Sequence, residues 1–251
     1  MRVNIKSASE IDAMRKGGKM LASVLSTLSS QVESGMSTKA LAENAKNELK
    51  KLGGQPTILG YHGFPDVLCV SVNDEVVHGI PRQNHIIKDG DIVSLDFCVT
   101  YGGMITDSAL SVVVGNANNE VKDLLIVTER SLMEGISAVK PGARVGDISH
   151  AVQKILEKNK KYGIVRDLVG HGVGHEMHEE PNIPNFGKKG VGPVLEPGMT
   201  LAIEPMATLG GYEVKTDPDN WTIRTVDGSW AAHFEHTVLV TDDGVEILTS
   251  R

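Results

Sequence analysis

The chain has 251 residues, of which 32 are Asp or Glu, 25 are Lys or Arg, and 40% are hydrophobic. This composition is typical of a globular protein with a sizeable core, and it excludes the disordered and fibrous classes. A formal net charge of −7 disfavours nucleic acids and anionic membranes as main partners, because those surfaces bind clustered Lys and Arg.

The two cysteines and the N-terminal segment indicate the cellular setting. Cys69 and Cys98 form no CxxC pair, so neither a disulfide scaffold nor a thiolate zinc site is expected, and a reducing, cytoplasmic environment fits. The first residues carry charges where a signal peptide needs an apolar stretch, and no apolar run approaches the roughly 18 to 20 residues of a membrane span. We therefore expect a cytoplasmic protein without membrane contact.

Helical and extended patterns alternate along the chain. The motif Ser7-x-x-Glu10 predicts a capping box at the start of a helix that reaches Gln31, and a second helix is predicted from Ser37 to the glycines at 53 and 54. Further helices are predicted near 119–138 and 146–159. Enrichment in Val, Ile, Leu and Thr predicts strands over 67–77, 91–100, 104–114, 199–207 and 234–240.

The sequence contains an internal repeat. The stretch 90–96 resembles 198–204, which lies 108 residues later, and five positions recur at a distance of 107 residues. These five are Val32, Gly35, Leu41, Ala45 and Leu49, matched by Val139, Gly142, Ile148, Val152 and Leu156. The pattern predicts an α+β fold with a pseudo-two-fold arrangement, in a single domain 1–251 built from two related halves, about 1–115 and 116–251.

Four acidic residues lie among apolar neighbours in predicted strands, where acids are rare: Asp96, Asp107, Glu204 and Glu235. A turn centred on Tyr101-Gly102 would place Asp96 directly opposite Asp107 on one face of a hairpin. The repeat places Glu204 at the position of Asp96, and Glu235 is then the expected counterpart of Asp107. A single such acid could form a salt bridge, but four together, with a charge of −4, would balance two divalent cations.

Histidines are concentrated in the segment 170–181, which contains His171, His175 and His178. The residue four positions after His175 is Glu179, so this is not the zinc-protease helix motif. The glycines of the segment predict a loop in which imidazoles approach a ligand closely. His78, just before the first acidic strand, is a further candidate. The remaining histidines are expected at surface or supporting positions: His62, His85, His150, His233 and His236.

Together these motifs resemble the type I methionine aminopeptidases, nearly from end to end. The motifs are His78-Gly-Ile-Pro, Asp96 and Asp107 eleven residues apart, Gly170-His171-Gly-Val-Gly with His178-Glu-Glu-Pro, Pro197-Gly-Met-Thr-Leu-Ala-Ile-Glu204-Pro and Glu235-His-Thr. The resemblance implies the pita-bread fold, an antiparallel sheet covered by helices. It also implies hydrolytic removal of an N-terminal methionine that precedes a small, uncharged residue.

The resemblance further implies a ligand set for two divalent cations. Asp96 would be the bidentate ligand of the first ion, Asp107 and Glu235 would bridge both ions, and His171 and Glu204 would complete the second site. One imidazole with several carboxylates suits Mn²⁺, Fe²⁺ or Co²⁺ and accommodates Zn²⁺.

Catalytic and substrate-binding roles follow from the same resemblance. Glu204 would be the general base, His178 would hydrogen-bond the scissile carbonyl, and His78 would contact the backbone nitrogen of the substrate. The methionine pocket would be lined by Tyr61, Phe64, Cys69, Met177 and Trp221, with His78 at its edge. Two residues of this pocket depart from the family, Met177, where Phe is usual, and Leu59, where Cys is common, and both leave the pocket apolar.

The implied partners are the N-termini of nascent polypeptides, with at most a transient ribosome contact, and the protein is expected to be a monomer. Three alternatives are weighed. A proline-specific peptidase of the same fold usually carries an N-terminal domain, whereas only about 90 residues precede Asp96 here. A metal-free binding module would have lost ligands. A nucleic-acid-binding or ribosome-binding protein would need a basic surface.

Overall fold

The computed structural model describes residues 3–159 and 162–250. The predicted halves begin at residue 1 and end at residue 251, which lie outside that part. The helices are α1 (Ala8–Gln31), α2 (Thr38–Leu52), α3 (Asn119–Ser137) and α4 (Val145–Leu156), with 3₁₀ turns at Tyr61–Gly63 and Glu157–Asn159. Among the described residues, no helix combines the length and apolar character needed to cross a membrane.

Short strands make up the rest of the regular structure. In the first half they are β1 (Gln55–Pro56), β2 (Cys69–Val72), β3 (Glu75–Val77), β4 (Ile92–Tyr101) and β5 (Met104–Val113). In the second half they are β6 (Gly163–Ile164), β7 (Gly170–Gly172), β8 (Glu179–Ile183), β9 (Thr200–Ile203), β10 (Met206–Thr208), β11 (Val214–Thr216), β12 (Ile223–Thr225), β13 (Ala231–His233), β14 (Glu235–Val240) and β15 (Val245–Ile247).

The ends of α1 and α2 follow from local hydrogen bonds. At the start of α1, Ser7 Oγ accepts the Glu10 N–H, and Glu10 Oε2 accepts the Ser7 N–H at 2.7 Å, so the predicted capping box is confirmed. Ser37 caps α2 through its hydroxyl, and α2 ends at Gly53, whose φ of +82° suits glycine. Both predicted helices therefore begin and end within one residue of their expected positions.

Three of the five repeated positions in each half are those at which the second helix packs against its sheet. Six side chains, at most 1% exposed, occupy equivalent places on α2 and α4: Leu41, Ala45, Leu49, Ile148, Val152 and Leu156. The repeat in the sequence therefore corresponds to a repeat in the way the helices are buried.

The main sheet is arranged symmetrically about its centre, so that β4 and β5 of the first half occupy places equivalent to those of β9 and β14 of the second half. Its path is β1-β4-β5-β14-β9-β7-β8, with β2 paired to β4 and β15 paired to β14, and these pairs are antiparallel. The β4–β5 pair of the first half thus meets the β14–β9 pair of the second half along a β5–β14 seam. Two three-stranded sheets, β13-β10-β6 and β11-β12-β3, complete the architecture. The fold is α+β with a pseudo-two-fold arrangement, as predicted.

The two faces of the main sheet have different roles. Leu95 and Phe97 of β4 are fully buried in a cluster with residues of α1 and α2. Because side chains alternate along a strand, Asp96 and Cys98 point to the opposite face. Residues of β9 and β14 pack against α3 and α4 in the same way. The helices therefore cover one face, and the other face carries the polar side chains of interest.

The hairpin that joins β4 and β5 turns one residue later than predicted. Tyr101 pairs with Met104, so the two-residue turn is Gly102-Gly103, and Asp107 lies opposite Cys98 while Asp96 lies opposite Ala109. The predicted direct opposition of Asp96 and Asp107 is wrong. Both turn glycines have a positive φ, +58° and +80°, a conformation that Tyr101 would adopt only with strain. The register shift is two residues, which keeps both acids on one face.

Candidate metal centre and active site

Six strands align four of the five predicted ligands in two neighbouring rows on the face of the sheet that the helices do not cover, and Glu204 directly follows β9. In one row, pairing places Cys69, Asp96, Ala109 and Glu235 side by side on β2, β4, β5 and β14. In the next row, Cys98 pairs with Asp107, and His171 of β7 pairs with Ala202 of β9. The acids of both halves therefore converge at the β5–β14 seam.

Glu235 does not occupy the position equivalent to that of Asp107. His236 pairs with Ile203, so the register brings Glu235 beside Glu204, as Ala109 lies beside Asp96 in the first half. The residue that register makes equivalent to Asp107 is His233, two positions before Glu235, which pairs with Met206 as Asp107 pairs with Cys98. The expected correspondence is therefore shifted by two residues, because the connection between β9 and β14 is not a tight turn.

The five predicted ligands nevertheless lie close together. Ligand atoms of Asp107, His171 and Glu235 all lie within 4.8 Å of one another, and so do those of Asp96, Cys98 and Asp107. His171 Nε2 lies 3.5 Å from Glu204 Oε1. These side chains line one cavity of about 70 Å³. Residues far apart in the sequence thus form a single cluster of oxygen and nitrogen donors.

Burial strongly perturbs the ionisation of this cluster. Burial, reinforced by Asp107, raises the pKa of Asp96 to about 8, and burial raises that of Glu204 to about 8. Burial raises the pKa of Asp107 to about 7 despite the Cys98 hydrogen bond, and it raises the pKa of Glu235 well above its usual range. Burial also lowers the pKa of His171 to about 4, so its imidazole is neutral and available as a ligand.

The donor set fits divalent cations. Among the described residues that line the cavity there is no Lys or Arg to balance four carboxylates. The buried Glu235 Oε1 and both ring nitrogens of His233 have no hydrogen-bond partner among the described residues. Since buried polar atoms are normally satisfied, the unpaired carboxylate oxygen of Glu235 indicates a positively charged group at this position. Carboxylates with one imidazole match the preferences of Mn²⁺, Fe²⁺, Co²⁺ and Zn²⁺.

His171 lies on a strand, so its predicted placement in a glycine-rich loop is wrong. A Cβ atom on Gly170 would come within 2.4 Å of the Ala202 carbonyl oxygen, and one on Gly172 within 2.3 Å of the Glu180 carbonyl oxygen. These glycines therefore permit close packing of β7 between its neighbours. A loop does follow the strand, and it carries the other two histidines of the segment.

Of those two histidines, His178 faces the cavity and His175 does not. The Tyr61 hydroxyl hydrogen-bonds His178 Nδ1 at 3.1 Å, and the His171 and His178 rings meet edge to face with centroids 4.5 Å apart. His175 instead pairs with Glu10 of α1, with Nε2 2.7 Å from Oε1. The Tyr61 contact fixes the His178 ring and leaves Nε2 as its free nitrogen.

His78 is held in a strained backbone conformation at the edge of the cavity. Its φ is +59°, in the left-handed region that non-glycine residues rarely adopt. The next residue, Gly79, is tied to β2, because its N–H donates to Ser71 Oγ at 3.0 Å and its carbonyl accepts the Val70 N–H. The His78 ring packs edge to face against Trp221. This arrangement directs the imidazole into the cavity.

The remaining cavity wall is apolar. Five predicted pocket residues line this wall: Tyr61, Phe64, Cys69, Met177 and Trp221. The structure adds two that were not predicted, Ile58 and Cys98. Phe64 and Trp221 pack edge to face with ring centroids 5.1 Å apart. A slot between aromatic rings and thiols suits an apolar, polarisable side chain such as a thioether.

Comparison with known proteins gives the family. Residues 12–242 match the model of metallopeptidase family M24. The chain therefore belongs to metallopeptidase family M24. Methionine aminopeptidase 1 of Bacillus subtilis (strain 168) is 47% identical over 244 residues, which cover 97% of this chain and 98% of that protein. The crystal structure of methionine aminopeptidase from Thermotoga maritima matches with a TM-score of 0.98 at 44% identity, covering 100% of both chains.

Within family M24, the chain groups with the type I methionine aminopeptidases and has their pita-bread fold. The prolidase from Pyrococcus furiosus shares the fold, with a TM-score of 0.77 at 21% identity, and this chain covers 65% of it. At that identity the likeness concerns the fold alone.

The two departures from the family pattern differ in their consequences. Met177 is buried and lines the cavity, so it shapes the pocket directly. Leu59 is 50% exposed and does not line the cavity, so the expectation that it forms part of the pocket is wrong. The side chain of the preceding residue, Ile58, lines the cavity wall instead.

At the centre of this family M24 site, sequence reasoning missed one buried group, Cys98, and left the place of another, His233, undecided between the surface and a supporting position. Cys98 Sγ donates to Asp107 Oδ1 at 2.9 Å. His233, expected at a surface or supporting position, is 2% exposed with Nε2 3.5 Å from Glu204 Oε2. The signal was present, because Cys98 lies two residues after one strand acid and His233 two residues before another, on the same faces.

Proposed function

We propose that this chain is a metalloaminopeptidase that hydrolyses the bond after an N-terminal methionine when the next residue is small and uncharged. The observation that carries the proposal is that five side chains able to bind metal ions line the same cavity as an apolar slot, together with His78 and His178. Membership of family M24 and the likeness to methionine aminopeptidases support it.

We propose that two divalent cations bind in the cluster. Asp96 would hold the first, His171 and Glu204 the second, and Asp107 and Glu235 would bridge them. Bound ions of this kind supply Lewis acidity, which polarises a carbonyl and lowers the pKa of water. Four carboxylates with a charge of −4 when ionised match two such ions, and the candidates are Co²⁺, Mn²⁺, Fe²⁺ and Zn²⁺.

The side chains around the cluster would perform the proton transfers and bind the scissile bond. Glu204 would accept the proton of the attacking water and pass it to the leaving amine. His178, fixed through Nδ1 by Tyr61, would donate from Nε2 to the carbonyl oxygen as negative charge develops there. His78, directed inward by its backbone, would contact the substrate's peptide nitrogen.

Substrate choice follows from the two ends of the cavity. The slot formed by Phe64, Trp221 and Met177 would take the methionine side chain. The free α-amine would bind at the end of the cavity formed by His171 and Glu204, which would also hold a cation. An internal peptide bond offers no amine, so the proposed activity is that of an exopeptidase.

Release of free methionine from Met-Ala-Ser in the presence of Mn²⁺ or Co²⁺ tests this proposal. We expect release by the wild type, and a loss of at least about 100-fold in Asp96→Asn and His171→Ala, because each removes a ligand. Matched controls at exposed positions, Asp242→Asn and His150→Ala, should retain full activity. Unchanged release in the ligand variants would contradict the proposal.

Substrate variants separate this activity from its rivals. Acetyl-Met-Ala-Ser lacks the free amine and Met-Arg-Ser has a large second residue, so neither should be cleaved. Cleavage of Ala-Pro but not of Met-Ala-Ser would favour a proline-specific peptidase. Binding of Met-Ala-Ser without cleavage at any metal concentration would favour a peptide-binding module.

We further propose the cellular context of the reaction. The substrates would be the N-termini of nascent polypeptides in the cytoplasm, and the two free, buried cysteines are compatible with that reducing setting. The protein would act as a monomer with two related halves, and its net charge of −7 argues against direct nucleic-acid binding and for at most a transient ribosome contact. We expect no membrane association.

A further inference from the structure

We propose that Lys6, which lies outside the cavity in the segment before α1, is a positioning residue for His178. The inference rests on the proposed function, since it concerns the histidine assigned to the scissile carbonyl. Lys6 and Glu179 form an ion pair, with Nζ 2.5 Å from Oε2, and their side chains are only 1% and 4% exposed. Lysine is rarely buried so completely, and Glu179 is the residue next to His178.

Glu179 closes the loop that carries His178. Its Oε1 accepts the backbone N–H groups of His175 at 2.7 Å and of Glu176 at 3.1 Å, while Oε2 accepts the Lys6 ammonium. One carboxylate therefore ties both ends of the segment 175–179 together and joins them to Lys6. Hydrogen bonds to charged groups are stronger than neutral ones, so this connection is stiff.

Lys6 is itself anchored to structure outside the loop. Its N–H donates to the Gly198 carbonyl at 2.9 Å, just before β9. Its aliphatic stem lies over Gly174, where an added Cβ would come within 2.3 Å of Lys6 Cε. The Gly174 carbonyl accepts the Ile105 N–H at 2.7 Å, which attaches the start of the loop to β5.

His178 is thus held from two sides. The Tyr61 hydroxyl fixes the ring, and the Lys6–Glu179 pair fixes the backbone of the adjacent residue. Lys6 does not line the cavity, and its side chain is 1% exposed, so its ammonium is engaged by Glu179 and not presented to substrate. A displacement of about 1 Å at a group that stabilises a transition state costs up to about 100-fold in rate, so releasing this anchor should affect catalysis more than substrate binding.

The experiment compares Lys6→Met with the wild type, using Met-Ala-Ser and the Mn²⁺-loaded protein. We expect kcat to fall about 10- to 100-fold with KM changed by less than about twofold. Lys6→Arg, which keeps the charge, should recover part of the loss. The control is Arg15→Met, which removes a 2.7 Å ion pair between α1 and Glu246 of β15, away from the cavity, and should leave kcat unchanged.

Two further readouts separate positioning from a general loss of structure. The Mn²⁺ stoichiometry of Lys6→Met should equal that of the wild type. The ring ¹⁵N signals of His178 in the Zn²⁺-loaded protein should move in Lys6→Met and stay in place in Arg15→Met. If Lys6→Met does not fold, Glu179→Gln cuts the same pair while keeping an oxygen for the two N–H groups, and the same changes are expected.

The possible results distinguish this inference from the proposed function. A wild-type protein that releases no methionine would refute the function, whereas an active wild type with undiminished kcat in Lys6→Met or Glu179→Gln would overturn the role of the pair. A loss of kcat with unmoved His178 signals would overturn it as well. Reduced kcat together with displaced His178 signals and normal metal content would establish it.

Discussion

The buried carboxylates make the stability of the metal-free protein depend on pH in an unusual direction. Asp96 and Glu204 have a pKa of about 8 in the folded chain, and Asp107 one of about 7, whereas ordinary carboxyl groups titrate near 4. The folded chain therefore holds protons that the unfolded chain has already released. Under this linkage, stability falls as pH rises through the folded-state values.

Buried histidines act in the opposite sense at lower pH. His78 and His171 have a pKa lowered by burial to about 4, so folding gains stability from them as pH rises toward their unfolded value near 6.5. That gain is nearly complete above about pH 7. Between about pH 7 and about pH 8, the change in folding stability with pH therefore comes mainly from the buried carboxylates.

The magnitude follows from proton counting. With about two more protons bound to the folded than to the unfolded chain, since two carboxyl groups have a folded-state pKa of about 8, stability falls by about 2.8 kcal/mol for each pH unit. For a chain of this size about 1 kcal/mol shifts the melting temperature by about 2–4 °C. Between about pH 7 and about pH 8, the melting temperature of the metal-free protein should therefore fall by about 6–11 °C.

Calorimetric or circular-dichroism melting in the presence of a chelator measures this shift. With saturating Mn²⁺ the slope should reverse, because binding requires ionised carboxylates and strengthens as pH rises. Asp96→Asn should flatten the metal-free slope, and Asp242→Asn should not. A metal-free melting temperature that stays constant or rises over this interval would refute the reasoning.

Three further predictions concern single residues. Cys98→Ala removes the 2.9 Å donor to Asp107, so Mn²⁺ affinity, measured from the free-ion electron paramagnetic resonance signal, should fall about tenfold, and Cys98→Ser should restore it. Gly79→Ala would place a Cβ 2.4 Å from the Val70 carbonyl and displace His78, lowering kcat/KM at least about tenfold. Phe97→Ala should cost about 3–5 kcal/mol in urea unfolding while the folded fraction keeps its metal stoichiometry.

Each of these predictions has a result that contradicts it. Equal Mn²⁺ affinity in Cys98→Ala and Cys98→Ser would deny the thiol a role at Asp107. Full activity in Gly79→Ala would mean that the backbone at His78 tolerates displacement. Loss of metal binding in folded Phe97→Ala would show that the helix-covered face and the site face are not independent.

The helices were predictable because their signals are local. The Ser7 and Ser37 caps and the glycine at 53 are read directly from neighbouring residues, and the structure confirms them within one residue. The position of the hairpin turn could not be predicted, because Tyr101-Gly102 and Gly102-Gly103 are both sequences typical of turns. The choice depends on which pair can take positive φ while the flanking strands keep their twist.

The acids of the site could be found in the sequence, but their arrangement could not. An acid in an apolar strand is conspicuous, and the repeat linked Glu204 to Asp96. The rows that bring them together depend on pairing across the β5–β14 seam, between residues far apart in the chain. Cys98 was missed, and His233 was left between a surface and a supporting position, for the same reason, since the importance of both depends on their neighbours on other strands.

The β5–β14 seam also has a consequence for folding. Asp96 lies on one side of it and Glu235 on the other, 139 residues apart in sequence (235 − 96). Any cation shared by these side chains acts as a removable cross-link that closes a loop of roughly 140 residues, and closing long loops restricts the unfolded chain most. Metal availability would then set how firmly the two parts of the chain stay joined, independently of whether a substrate is present.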